Sequence, residues 1–107
     1  MTIDLPAPVR AAIDAANAND TDAFLSCFPP DGVVDDWGRE FVGHDEIRGW
    51  SDREFIGVKV NLKVVQVAIE DVNVVVTAQE GGDGFNGPSH FTFQLEGGQL
   101  TRMTIRA

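Results

Sequence analysis

Apolar side chains recur along this chain with two rhythms, and the change from one to the other splits it in half. In residues 4–18, Val9, Ala12, Ile13 and Ala16 fall at i, i+3, i+4 and i+7, the stripe of an amphipathic helix. Asp4 can cap that helix, and Pro6 and Pro8 fall in its first turn, where amide donors have no partner to lose. Asn17 to Asn19 breaks it. A second helix is expected from Asp20, an N-cap residue type with Asp22 in the favourable first turn; Phe24, Leu25 and Phe28 supply its buried side and Pro29-Pro30 stops it. From Val58 the rhythm becomes two: Val58, Val60, Leu62 and Val64 alternate with Lys59, Asn61 and Lys63. The phase then slips to Val65, Val67 and Ile69, which predicts a bulge near Val64-Val65 or a strand covered on both faces. Glu70 to Asn73 turns the chain, and Val74 to Gln79 brings it back antiparallel.

Between the two halves lies Asp31 to Trp50, around which the rest is arranged. It reads as a short strand, a tight turn at Gly38, a second short strand and a helix opening after Gly43, with Ile47 and Trp50 on one side of that helix. Two adjacent carboxylates, Asp35 and Asp36, sit on the first strand. Consecutive strand residues face opposite ways, so one of the two points inward. An ionised carboxylate in an apolar setting is costly and needs a reason.

Two further strands, Ser89 to Leu95 and Leu100 to Arg106, form a hairpin closed by Gly97-Gly98. With a two-residue turn Glu96 pairs with Gln99, which sets His90 opposite Ile105 and Thr92 opposite Met103. One face then carries His90, Thr92, Gln94, Thr101, Met103 and Ile105, a polar and apolar mixture of the kind that lines ligand pockets. The other carries Phe91, Phe93, Leu95, Leu100, Arg102 and Thr104, as a subunit interface does. The glycine-rich run Gly81 to Gly87 lacks the Lys-Ser/Thr and following helix of a phosphate loop, and is expected to rim a cavity.

Composition narrows the partners. At 107 residues the chain is one domain, with 43% hydrophobic and 23% charged residues. Its formal charge of −9 repels phosphate backbones and anionic lipid, so neither nucleic acid nor membrane is an expected partner. The single cysteine, Cys27, allows no internal disulfide and no cysteine-rich metal site, and His44 has no second ligand at i+4; no metal or cofactor is expected. No apolar run reaches a membrane span, and the amino terminus lacks the basic start and apolar centre of a secretory signal, so the expected location is cytoplasmic.

Helices, a short hairpin, a helix and then long antiparallel strands make an α+β domain with helices on one curved sheet. The runs Asn17-Ala18-Asn19-Asp20-Thr21-Asp22-Ala23-Phe24, Phe28-Pro29-Pro30-Asp31-Gly32-Val33-Val34-Asp35-Asp36, Gly43-His44-Asp45-Glu46-Ile47-Arg48-Gly49-Trp50 and Gly98-Gln99-Leu100-Thr101-Arg102-Met103 carry a resemblance over nearly the whole chain. With them it resembles the nuclear transport factor two-like superfamily, the cone-shaped, cystatin-like fold of ketosteroid isomerases and SnoaL-like polyketide cyclases. The resemblance implies a strongly curved mixed or antiparallel sheet with about three helices on its concave face. It sets Asp36 at the general base of ketosteroid isomerases and His90 at their oxyanion donor. It sets Met103 and Ile105 at cavity-lining positions and Trp50 at an aromatic beside the cavity. The family's catalytic tyrosine falls at Ala12, and this chain has no tyrosine. The implied chemistry is proton abstraction next to the carbonyl of a small apolar molecule, by Asp36 with His90 holding the oxygen. The same cavity serves equally a binding domain without turnover, or a dimeric scaffold. A homodimer is expected through the outer sheet surface, with Phe91, Phe93 and Leu95 as its patch.

Overall fold

The computed structural model describes residues 4–106; residues 1–3 of the amino-terminal stretch read above lie outside it. Helix α1 spans Ala7–Asn17, α2 Thr21–Leu25 and α3 Gly43–Glu54, followed by a 3-10 turn at Ile56–Val58. The strands are β1 Val33–Asp36, β2 Arg39–Val42, β3 Asn61–Glu70, β4 Asn73–Gly81, β5 Gly87–Glu96 and β6 Gln99–Arg106. They form one sheet in the order β2-β1-β6-β5-β4-β3. All neighbours are antiparallel except β1 and β6, so the sheet is mixed and open.

Helix α1 begins three residues later than expected. Pro6, at ψ 145°, is still extended and serves as N-cap, which leaves Asp4 outside the helix. Its stripe of Val9, Ala12, Ile13 and Ala16 is buried throughout. In α2 the Asp20 side chain accepts the Ala23 amide as anticipated, but the helix ends at Leu25. There Ser26 Oγ and Cys27 Sγ both bond back to the Ala23 carbonyl, drawing off an acceptor that the helix would use. Phe28 is still buried, carried in by the turn that follows.

Two bulges set the faces of the sheet. Pairing between β3 and β4 skips Val65, at the phase slip in the sequence. In the β5–β6 hairpin Glu96 does pair with Gln99 and Leu95 with Leu100, but Gln94 then pairs with Arg102, leaving Thr101 as an extra residue. That shift overturns the face assignment made from a regular hairpin. His90 lies opposite Arg106 and Thr92 opposite Thr104, whereas Phe91 pairs with Ile105 and Phe93 with Met103. The physical reason lies in β6. Leu100 and Met103 are out of phase in a regular strand, and one extra residue between them lets both, with Ile105, face the helices. Phe91 and Phe93 are 1% exposed and sit in the core with Trp50, Phe24 and Phe28, so they offer no patch to a second subunit.

The concave face of the sheet is closed by the three helices except at one end, where α3, the 3-10 turn and the β4–β5 loop leave a hollow. No helix among the described residues is long and apolar enough to cross a membrane.

Candidate active site

The hollow is a cavity of about 470 Å³, within the range of roughly 300–1,000 Å³ usual for small-ligand pockets. Its apolar walls are Trp50, Phe55, Val58, Phe85 and Ile105. Trp50 and Phe55 are stacked with ring centroids 4.9 Å apart and are almost wholly buried, which fixes both in place. The loop between β4 and β5 forms the rim through Gly84 and Phe85, the role expected of the glycine run. Asn86 fastens that loop by donating to the carbonyls of Gly82 and Gly84.

Of the two adjacent aspartates, Asp36 lines the cavity and Asp35 faces away from it. The split follows from strand alternation, and the turn after β1 fixes it. Trp37 and Gly38 both take positive φ, 56° and 88°, the backbone of a two-residue hairpin turn. The Gly38 amide donates to Asp35 Oδ1 at 2.7 Å and steadies the turn. Trp37, in a conformation that bulky side chains rarely adopt, stands at the cavity mouth.

Asp36 is oriented through one oxygen. Its Oδ2 accepts from Trp50 Nε1 at 3.0 Å and from Arg39 Nη2 at 2.7 Å. No hydrogen bond to Oδ1 is found among the described residues. Arg39 also forms a two-pronged bridge to Glu54, at 2.7 and 2.9 Å, tying β2 to the end of α3. The Arg39 hydrogen bond holds the Glu54 carboxyl below its ordinary range.

A third carboxylate, beside Asp36 and Glu54, enters the cavity from β4. Glu80 continues the inward series Val74, Val76, Ala78 and is 8% exposed. Its Oε1 accepts from Ser89 Oγ at 3.0 Å. Burial pushes the Glu80 carboxyl above its ordinary value of 4.5 and the charge of Asp36 adds to the rise, against the opposing Ser89 hydrogen bond. Neither Glu80 nor Ser89 was among the residues expected here. The sequence pattern ends this strand at Gln79, two residues short of Gly81, although the parity of Val74, Val76 and Ala78 leads to Glu80. Ser89 shares its parity with Phe91 and Phe93, which the regular hairpin had put on the wrong face.

The structure brings Asp36, Trp50 and Ile105 together around the cavity. It does not bring His90 there. His90 is exposed on the opposite face of the sheet, with Nδ1 2.9 Å from Thr77 Oγ1. The pairing of Asp36 with His90 is therefore corrected: a sheet separates the two groups. Thr92 is corrected for the same reason, since it lies on the outer face opposite Thr104. Met103 does face inward but is 1% exposed, packed in the core and not among the residues that line the cavity.

Comparison with known proteins gives the family and the fold. The family described as SnoaL-like domain matches residues 9–103. A candidate polyketide cyclase of Sinorhizobium meliloti is 27% identical and superposes with a TM-score of 0.84, over 96% of each chain. An uncharacterised cystatin-fold protein of Novosphingobium aromaticivorans, 14% identical, has a TM-score of 0.84 over 99% of this chain and 100% of its own. A candidate ketosteroid isomerase of Kribbella flavida, 13% identical, has a TM-score of 0.80 over 94% of this chain and 74% of its own. At 14% and 13% identity, the last two speak for the fold alone. No curated protein matches the sequence.

Proposed function

The chain belongs to the SnoaL-like domain family, and from that premise we propose that it removes a proton from carbon next to the carbonyl of a small, mostly apolar molecule. The observation that carries this reading is Asp36: a carboxylate lining a cavity with aromatic walls, held through Oδ2 by Trp50 and Arg39, with no hydrogen bond to Oδ1 among the described residues. A general base needs that combination of fixed orientation and one free oxygen within reach of the substrate. The rings of Trp50 and Phe55 with Ile105 supply walls for a flat apolar skeleton. Isomerisation and aldol-type ring closure both start from this proton abstraction, and either suits the site.

The test is solvent deuterium exchange into a panel of cyclic enones and aromatic ketones. The protein is expected to catalyse exchange at the carbon beside the carbonyl, and Asp36→Asn to slow it by about 10³-fold. Equal rates in the two proteins would remove Asp36 as base.

A second reading is a binding domain without turnover. The double engagement of Asp36 by Arg39 and Trp50 favours it, because a paired carboxylate can serve to fix the cavity wall alone. In that case the panel ketones bind without exchanging.

A further inference from the structure

We propose that Glu80 is the acid partner of Asp36, protonating the carbonyl oxygen while Asp36 takes the proton from carbon; this rests on the base reading above. The cavity presents its charged groups from three sides: Asp36 from β1, Arg39 from β2, and Arg53 and Glu54 from α3. Among the described residues no ion pair to Glu80 is found. Arg39 is engaged by Asp36 and Glu54, and among the described residues the hydrogen-bond partner of Glu80 is Ser89. His90, the nearest imidazole along β5, points to the other face.

A carboxylate buried without a cation is unfavourable, and the remedy open to it here is to keep its proton. The direction of its titration agrees: burial raises it, and the neighbouring Asp36 charge raises it further. A carboxyl group pushed toward its protonated form in the cavity that holds the base is placed to serve as the acid. Ser89 selects the oxygen. Its hydroxyl donates to Oε1, so Oε1 is the acceptor and the proton belongs on Oε2. Phe85 shields this corner. Its ring lies over Gly87, which pairs with Glu80, and a Cβ built on Gly87 would come within 3.1 Å of it.

The step balances within the pair. As Asp36 Oδ1 takes the proton, the carbon–hydrogen electron pair becomes the new carbon–carbon double bond. The carbonyl π pair takes the Glu80 proton and a neutral enol forms. Asp36 is then the acid and Glu80 the carboxylate. When Asp36 delivers its proton to carbon, the enol hydroxyl returns the other to Glu80, and the pair holds one proton before and after.

The experiment follows exchange of the fastest panel ketone against pH in wild type, Glu80→Gln and Asp36→Asn, beside a carboxyl-carbon NMR titration of Glu80 without ligand. Expected are a wild-type rate that falls on the basic side as Glu80 ionises, and a Glu80→Gln rate about 100-fold lower in kcat, with KM little changed and that basic limb gone. The NMR titration of Glu80 should lie above 4.5 in wild type and move down in Asp36→Asn. A Glu80→Gln protein that exchanges at the wild-type rate with the limb intact, or a Glu80 that titrates at or below its ordinary value, overturns the acid role while leaving Asp36 as base. A wild-type protein that exchanges none of the ketones overturns both.

Discussion

Asp35 and Glu80 are both buried carboxylates on the same sheet, at 7% and 8% exposure, yet the two faces treat them in opposite ways. On the outer face Asp35 meets Arg102 at 2.7 Å and Arg106 at 3.1 Å, and Arg102 in turn bridges to Glu40. The Arg106 hydrogen bond, with those of Gly38 and Arg102, holds the Asp35 carboxyl below its ordinary value against the effect of burial. On the inner face Glu80 has a serine and a like charge for company, and its carboxyl is pushed up. Burial alone therefore does not mark a chemical group. Burial without a counter-charge, facing a cavity, singles out a candidate, because such surroundings favour the protonated form.

Removing the arginine-held carboxylate tests the structural half of this contrast and has the largest expected effect on stability. Asp35→Asn should cost about 2 kcal/mol, since two cations lose their counter-charge and one of the two accepting oxygens becomes an amide donor. The arginine side chains are 29% and 43% exposed, and solvent screening keeps the figure below that of a fully buried pair. For a chain of this size the midpoint of thermal unfolding should drop by about 10 °C, with exchange of the panel ketones unchanged. The pH dependence has a definite sign. The folded-state titration of Asp35 lies below 3.8, so its contribution is complete above 3.8 and is lost as pH falls through the folded value. Wild type should lose stability there faster than the variant. Equal acid profiles would show that the arginines do not hold this group.

The same contrast explains what was legible in the sequence. The order of elements and the split between Asp35 and Asp36 follow from local rules: turn residues at Gly38 and Gly43, strand alternation, and the phase slip at Val65. These signals lie within a few residues of what they determine. The hairpin of β5 and β6 was different, because its register depends on which side chains the distant helices bury. Thr101 gives no local sign of being the extra residue; the sign is the pair Leu100 and Met103, both apolar and out of phase, and it becomes decisive only once α1 and α3 are known to cover that face. One bulge carried His90 and Thr92 out of the site and Ser89 in. Glu80 was hidden by a strand end placed two residues early. The bond from Arg39 to Asp36 joins neighbours across the β1–β2 turn, but the one from Arg39 to Glu54 joins elements that only the folded chain brings together.

Neutralising the carboxylate that has no cation should have a smaller effect, opposite in sign. Glu80→Gln keeps the shape and can still accept from Ser89, and it removes an ionisable group whose charged form the cavity does not compensate. Stability near neutral pH should rise by about 0.5–1 kcal/mol, the increase seen when a functional group under strain is relieved. Because the folded titration lies above 4.5, wild type binds more protons folded than unfolded in the interval above 4.5. Its stability should decline with rising pH across that interval, a decline that the variant lacks. Urea midpoints measured at several pH values decide it, and a variant less stable than wild type at neutral pH would mean that the Glu80 charge is compensated after all.

The smallest expected effect belongs to His90, and it is informative because Ser89 is adjacent. His90→Ala removes one hydrogen bond to Thr77 on an exposed face, where water replaces it, so stability should change by less than about 0.5 kcal/mol. The exchange rate and its pH profile should match wild type, since a six-stranded sheet stands between the imidazole and the cavity. Ser89→Ala, one residue earlier, should leave Glu80 Oε1 without its donor and slow exchange by about tenfold. If His90→Ala slows exchange as Ser89→Ala does, the bulge at Thr101 is misplaced and the inner face of β5 is the other one. If neither does, the Ser89–Glu80 corner takes no part in the reaction and Asp36 works alone.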